Sequence, residues 1–118
     1  MFTGLLLEES LADESVLATL RVTKTEVWEV SNAVDWQPKQ WTAISFEGDD
    51  EQANAVADAL SQALKPAWYA NCSTETHMFV VFIGRVFKYV RGDELARAEA
   101  QRYAVSVGVP ESQVDWGK

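Results

Sequence analysis

Cys72, Glu75 and His77 are the residues of this chain whose types and spacing suit chemistry. A neutral imidazole beside a thiol takes up its proton and leaves a thiolate, the species that attacks acyl and thioester carbonyls. The three stand just ahead of residues 78–83, a run that is apolar at every position. If residues 67–73 and 78–83 pair around a turn at Thr74 and Glu75, Cys72 faces His77, Trp68 faces Val81 and Ala70 faces Phe79. Opposed Cβ atoms then lie roughly 4.5–5.5 Å apart, within reach of a thiol–imidazole hydrogen bond. Glu75, in the turn, would orient the ring. The competing reading makes Cys72 a small buried hydrophobe and His77 a polar flank at a strand start. A one-residue slip in register sends the pair to opposite faces. No glycine-rich nucleophile turn surrounds Cys72, so the second reading is preferred. One Cys and one His leave two ligands to be found among carboxylates, so neither a metal nor a cofactor is expected.

Aromatic residues supply a second candidate. The chain has 5 Trp in 118 residues, at positions 28, 36, 41, 68 and 116. Residues 31–40, with Asn32, Asp35 and Pro38, read as a loop, and a loop of this length is more often functional than a short one. Trp36 lies in the middle of it, where a core role is hard to arrange. Tryptophan at a surface brings large contact area at low entropy cost. Trp36 with Asp35, Gln37 and Lys39, together with Tyr69 and Asn71, is therefore the expected ligand or partner surface. Trp28, Trp41, Trp68 and Trp116 are assigned to packing.

Composition narrows the classes of partner. Lys and Arg number 10 against 18 Asp and Glu, a formal charge of −8. Nucleic-acid affinity depends largely on Lys and Arg displacing counterions, so no nucleic-acid partner is expected. The basic residues after position 84 interleave with Asp93, Glu94 and Glu99, as on a solvated face. A single Cys rules out an internal disulfide and suggests a reducing compartment. The apolar run Leu5, Leu6 and Leu7 is too short for a signal sequence or a membrane span. A cytoplasmic protein without a membrane partner is the expectation. The carboxylates at 8, 9, 13 and 14 and at 47, 49, 50 and 51 match no calcium loop, and most of this charge serves solubility.

The elements that must position these residues form one α+β domain over residues 1–118. Helical spacing of Ala53, Val56, Ala57, Leu60 and Leu64 predicts a helix that Pro66 ends, with Asp49 and Gln52 in capping-box positions. A second helix opens at Asp93 and stops at Gly108, its small apolar stripe being Ala96, Ala100, Tyr103 and Val107. Strands are expected at 2–7, 21–30, 41–47, 67–73, 78–83 and 86–90, and residues 13–20 form a short helix or irregular chain. This order fits a ferredoxin-like α/β sandwich, a mainly antiparallel sheet with helices on one face, extended by a C-terminal hairpin strand and helix.

That arrangement leaves one sheet face bare. With a two-residue turn at Ile83 and Gly84, Val80 pairs with Phe87 and Met78 with Tyr89 on the helix-covered face. Phe79, Val81, Ile83, Val86 and Val90 fall on the other, a patch that monomers seldom tolerate. A two-fold homodimer burying it is the expectation. The leading functional reading is a small, soluble, non-catalytic domain that binds a small molecule or a protein. The enzyme alternative uses Cys72 as nucleophile, His77 as base and Glu75 as orienting acid on an acyl or thioester substrate. A third reading follows from charge: an acidic inhibitor or immunity-type protein that neutralises a basic partner.

Overall fold

The computed structural model describes residues 1–116 of the chain. They form an α+β domain built on one antiparallel sheet with strand order β2-β3-β1-β4-β5-β6. The strands are β1 (Phe2–Leu7), β2 (Arg21–Glu29), β3 (Gln40–Gly48), β4 (Ala70–Ser73), β5 (His77–Phe82) and β6 (Arg85–Val90). Two helices, α1 (Ala53–Ala63) and α2 (Glu94–Ser106), pack on the sheet, and residues 13–20 form a 3-10 helix, Glu14–Thr19. The radius of gyration is 13.3 Å.

Local chemistry explains how the helices begin and end. The Asp93 carboxylate caps α2 by accepting from the Ala96 amide at 3.0 Å. At its other end Gly108 has φ 102°. The Val109 amide reaches the Ala104 carbonyl at 3.0 Å and the Gly108 amide reaches Val105 at 3.1 Å, the two bonds of a Schellman motif. The expected stripe holds for Ala96, Ala100 and Tyr103, and Ala104 replaces Val107, which is exposed past the last turn. The capping box at Asp49 does not form. A 3-10 turn, Asp50–Gln52, comes between Asp49 and α1, and neither Asp49 nor Gln52 makes a side-chain cap.

The helices lie on opposite faces of the sheet, not on one. β5 shows this directly, since its alternate residues enter two separate cores. Phe79 and Val81 join Leu60, Leu64, Phe2, Leu6 and Phe46 on the α1 side. Met78, Val80 and Phe82 join Ala100, Ala104, Val109 and Trp116 on the α2 side. The 3-10 helix adds Val16 to the α1 core, and Ser10 and Ala63 tie the preceding chain down by backbone bonds to Lys65 and to Ala12 and Asp13. Gly4 is required beneath this face, because a Cβ there would run into the Phe46 ring and lie 2.7 Å from the Cys72 Cβ.

The bare face expected from the sequence is therefore absent. Phe79 and Val81 are sealed by the subunit's own α1, and Val86 is half-buried against the same core. Lys88 reaches over Phe79 to Asn54 of α1 at 3.4 Å. Only Ile83, in the turn, and Val90, near the end of the edge strand, remain exposed. The β5–β6 register follows the expectation, with Val80 opposite Phe87 and Met78 opposite Tyr89 around Gly84 at φ 71°.

Candidate functional site

The β4–β5 register decides the thiol question. Cys72 lies opposite Phe79, and Ala70 opposite Val81, two positions from the expected pairing. The turn centres on Glu75 and Thr76 because the Thr74 hydroxyl accepts from the amides of Thr76 at 3.2 Å and His77 at 3.0 Å. His77 instead sits beside Val90 of β6, its Nδ1 2.9 Å from the Thr76 hydroxyl, and Glu75 is exposed. Cys72 and His77 become diagonal neighbours, roughly 7–8 Å apart in such a ladder. Cys72 is buried in the α1 core, and that burial pushes its thiol up to about 12. At neutral pH it stays protonated and out of a substrate's reach, so the Cys72–His77–Glu75 constellation is not assembled. Among the described residues no three His, Cys, Asp or Glu side chains gather as a metal site.

A concavity of about 540 Å³ opens on the other face, over the half of the sheet that α2 leaves bare. Leu5 and Leu7 of β1 and Asn71 of β4 supply its floor. Trp28 of β2 and Trp41 of β3 are opposed residues across that ladder, so both indoles project to the same side. Trp68, Tyr69 and Trp116 complete an aromatic wall. Trp41 packs edge-on against Trp68 at 5.5 Å, and Tyr69 against Trp116 at 5.0 Å.

Two segments hold this wall in place. The first is the loop of residues 30–39, closed at its base by the Val30 amide on the Lys39 carbonyl at 2.9 Å and braced by Trp41 Nε1 on the Pro38 carbonyl at 2.8 Å. The second is the tail of residues 109–116, which carries a 3-10 turn at Glu111–Gln113. The two are joined by a buried amide pair: Gln37 Nε2 donates to Gln113 Oε1 at 2.9 Å, and Gln113 Nε2 donates to Gln37 Oε1 at 2.7 Å. Gln113 also reaches the Asn32 carbonyl at 2.9 Å. Tyr69 donates to the Gln113 carbonyl at 2.7 Å, and Trp116 Nε1 donates to the Tyr89 hydroxyl at 2.9 Å. From α2, Arg97 and Gln101 hold the carbonyls of Trp116 and Val114 at 2.6 and 2.9 Å.

The electrostatics are one-sided. Among the described residues the ionisable groups with acidic side chains at the cavity are Glu29 and Asp115, and no Lys, Arg or His lines it. Burial, followed by the charge of Asp115, raises the Tyr69 hydroxyl above its ordinary value, so it stays a neutral donor. The polar lining is thus the carboxylates of Glu29 and Asp115, the uncharged Ser31, Asn32, Asn71 and Gln113, and the Tyr69 phenol, set among apolar rings. Such a surface can sandwich a flat apolar group, and can hold a cation against ring faces and carboxylates.

Of the residues singled out in the sequence, Tyr69 and Asn71 line this cavity. Trp36 is half exposed and stacks edge-on against Trp68 at 5.6 Å, behind the wall. Gln37 is buried in the amide pair, while Asp35 and Lys39 face solvent. Trp28, Trp41, Trp68 and Trp116 were assigned to packing; the last three are indeed largely buried, yet their edges form the wall. The signal that would have found them is the 28–41 hairpin around the long loop, which puts two indoles on one face.

Comparison of the chain with protein-family models, with curated proteins and with solved structures finds no match.

Proposed function

We propose that the chain is a non-catalytic, small-ligand-binding domain whose site is the Trp-walled cavity between the 30–39 loop and the 109–116 tail. The observation that carries this reading is the cavity itself. About 540 Å³, with aromatic walls and a few convergent polar groups, suits a drug-sized molecule. Its carboxylates and its lack of a basic lining residue among the described residues favour neutral or cationic aromatic ligands over anions. The fold reading that goes with it is a ferredoxin-like unit. Strands β1 to β4 lie in the order 4-1-3-2, all neighbours antiparallel, with the 3-10 helix in place of the first crossover helix. The hairpin β5–β6 and α2 then extend the sheet and supply the tail that walls the cavity. Fold analogy adds nothing to the choice of ligand.

Protein-observed NMR tests the site through its indole N–H resonances. Benzyltrimethylammonium, benzyl alcohol and benzoate are matched probes that differ in charge. The cation and the alcohol are expected to shift the Trp28, Trp41 and Trp68 indole signals saturably, and benzoate to leave them in place. Trp28→Ala, at a half-exposed position, should abolish the response while the chain stays folded. Shifts confined to residues outside the cavity, or tightest binding by benzoate, would overturn the proposal.

A further inference from the structure

Strand β2 is an edge strand, and every one of its nine residues is exposed. Edge strands carry unpaired N–H and C=O groups and invite another strand unless something repels it. Three of the large exposed hydrophobics of the molecule, Val22, Val27 and Trp28, lie on this one strand. Its charges are Arg21, Lys24, Glu26 and Glu29, a neutral set in a chain of formal charge −8. We propose that β2 pairs antiparallel with β2 of a second copy of this chain about a two-fold axis at Thr25, joining the two sheets edge to edge.

The order of the charges supports that occupant. Antiparallel pairing about Thr25 puts Lys24 opposite Glu26 of the partner subunit, and Glu26 opposite the partner's Lys24. Opposite charges directly across a ladder attract, and like charges there repel. The bulge at Thr23 fits the same pairing. Because β2 shifts register between Val22 and Lys24 against β3, Val22 shares the face of Thr25 and Val27, and Arg21 that of Lys24 and Trp28. Past the bulge, Val22 then meets Val27 of the partner subunit, and Arg21 meets the partner's Trp28, an apolar contact and a cation–ring contact. The pairing covers all three exposed hydrophobics and leaves no like charges opposed.

The other edge makes the contrast. β6 bears Arg85 and Lys88 with Arg91 just beyond, and no carboxylate, so a self-pairing there would gather positive charge. Only β2 is self-complementary. Trp28 also lines the ligand cavity, so the partner's Arg21 would stand at its rim.

Sedimentation of the intact chain tests the proposal, with charge reversals that exploit the two-fold. Wild type is expected to dimerise at micromolar concentration. Lys24→Glu leaves only glutamates across the axis and Glu26→Lys only lysines, so each variant alone should dissociate about tenfold more readily or worse. Mixing the two variants restores opposite charges, and a heterodimer should reappear. Both positions are solvent-exposed, and recovery on mixing shows that each variant is folded. A wild type that stays monomeric at high micromolar concentration, variants that associate as well as wild type, or a mixture that stays monomeric would each overturn it. Sedimentation is run without ligand, and the cavity is read from the Trp41 and Trp68 indoles, which lie off the β2 edge, so the failure of one proposal is distinguishable from the failure of the other.

Discussion

On the α1 face the inward side chains are aliphatic or phenyl: Phe2, Leu6, Phe46, Leu60, Leu64, Phe79 and Val81, with no Trp or Tyr in the cluster. On the α2 face Phe82 and Phe87 are joined by aromatics with a polar tip, Tyr69, Tyr89, Tyr103 and Trp116, and several of those tips are spent on hydrogen bonds to the tail and from it. The first face closes under α1 and the 3-10 helix over the inner strands, leaving only the edge strand β2 uncovered. The second closes only over β5 and β6, and beyond them it opens into the cavity. Amphipathic rings suit that boundary, since one side of the ring stays dry while its N–H or O–H orders nearby backbone. One sheet therefore carries a packed core on one side and, in the proposed reading, the ligand site on the other, and changes to the two sides should separate in their effects.

The largest separation is expected between Leu60→Ala and Trp28→Ala. Leu60 is 0% exposed at the centre of the α1 core, so truncating it should cost about 2–5 kcal/mol in urea unfolding. Trp28 is 37% exposed on an edge strand and should cost about 1 kcal/mol or less. Ligand response should show the reverse order: retained in folded Leu60→Ala and lost in Trp28→Ala. Equal stability losses would mean that the cavity wall is itself core, and the contrast between faces would go.

Cys72 probes the sealed face by pH. Its thiol, ordinarily near 9.0, is pushed up to about 12 by burial, so the folded state holds the proton more tightly than the unfolded chain. The associated stability is full below pH about 9 and declines as the pH rises from there towards 12. Tyr69 and Tyr89, also raised by burial, should add a second decline that begins above pH 10. Chemical denaturation across this range should show Cys72→Ala losing the earlier decline and keeping the later one. Iodoacetamide at pH 7 should label Cys72 only after denaturant is added. Rapid labelling of the folded chain would place the thiol outside the core.

Much of this frame was legible in the residues. The bounds of β1 follow from its apolar run, the β5–β6 register from the turn at Gly84, and both ends of α2 from Asp93 and Gly108. Two things were not. Thr74, Glu75 and Thr76 allow two turn centres, and the Thr74 hydroxyl chooses the later one. A slip of two leaves every side chain on its face, so period-two patterning cannot detect it, yet it parts Cys72 from His77. The cavity draws Leu5, Trp28, Trp41, Trp68 and Trp116 from distant points of the chain, and its clasp is a Gln37–Gln113 pair separated by 76 positions. No local pattern marks such a pair. The all-apolar run of β5 does not imply a second subunit: it marks a strand covered on both faces by its own chain, as parallel-sheet strands are.

The clasp gives a smaller, local prediction. Gln113→Leu removes the partner of a buried Gln37 amide and the bond to the Asn32 carbonyl, a loss of about 1–3 kcal/mol. The damage should be regional. Hydrogen exchange should quicken at the Val34 amide, which donates to Gln37 Oε1 at 3.2 Å, while amides of the α1 core keep their protection. A uniform rise in exchange would show that the loop and tail unfold with the sheet, not as the cavity's own hinged wall.

Smallest of all should be the effect of Ile83→Lys and Val90→Lys. These two are what remains exposed of the apolar set Phe79, Val81, Ile83, Val86 and Val90 once α1 has covered the others. Each lies in the solvent at a turn or an edge, where a substitution shifts stability by about 0.5 kcal/mol or less. Self-association should be unaffected as well, because the pairing inferred for β2 lies at the opposite edge of the sheet, with four strands between it and β6. Equilibrium sedimentation of the Ile83→Lys, Val90→Lys double variant beside wild type separates the two interfaces. If the double variant dissociates while Lys24→Glu does not, subunits meet at the β6 end of the sheet, and the asymmetry between a sealed face and an open one no longer determines where they join.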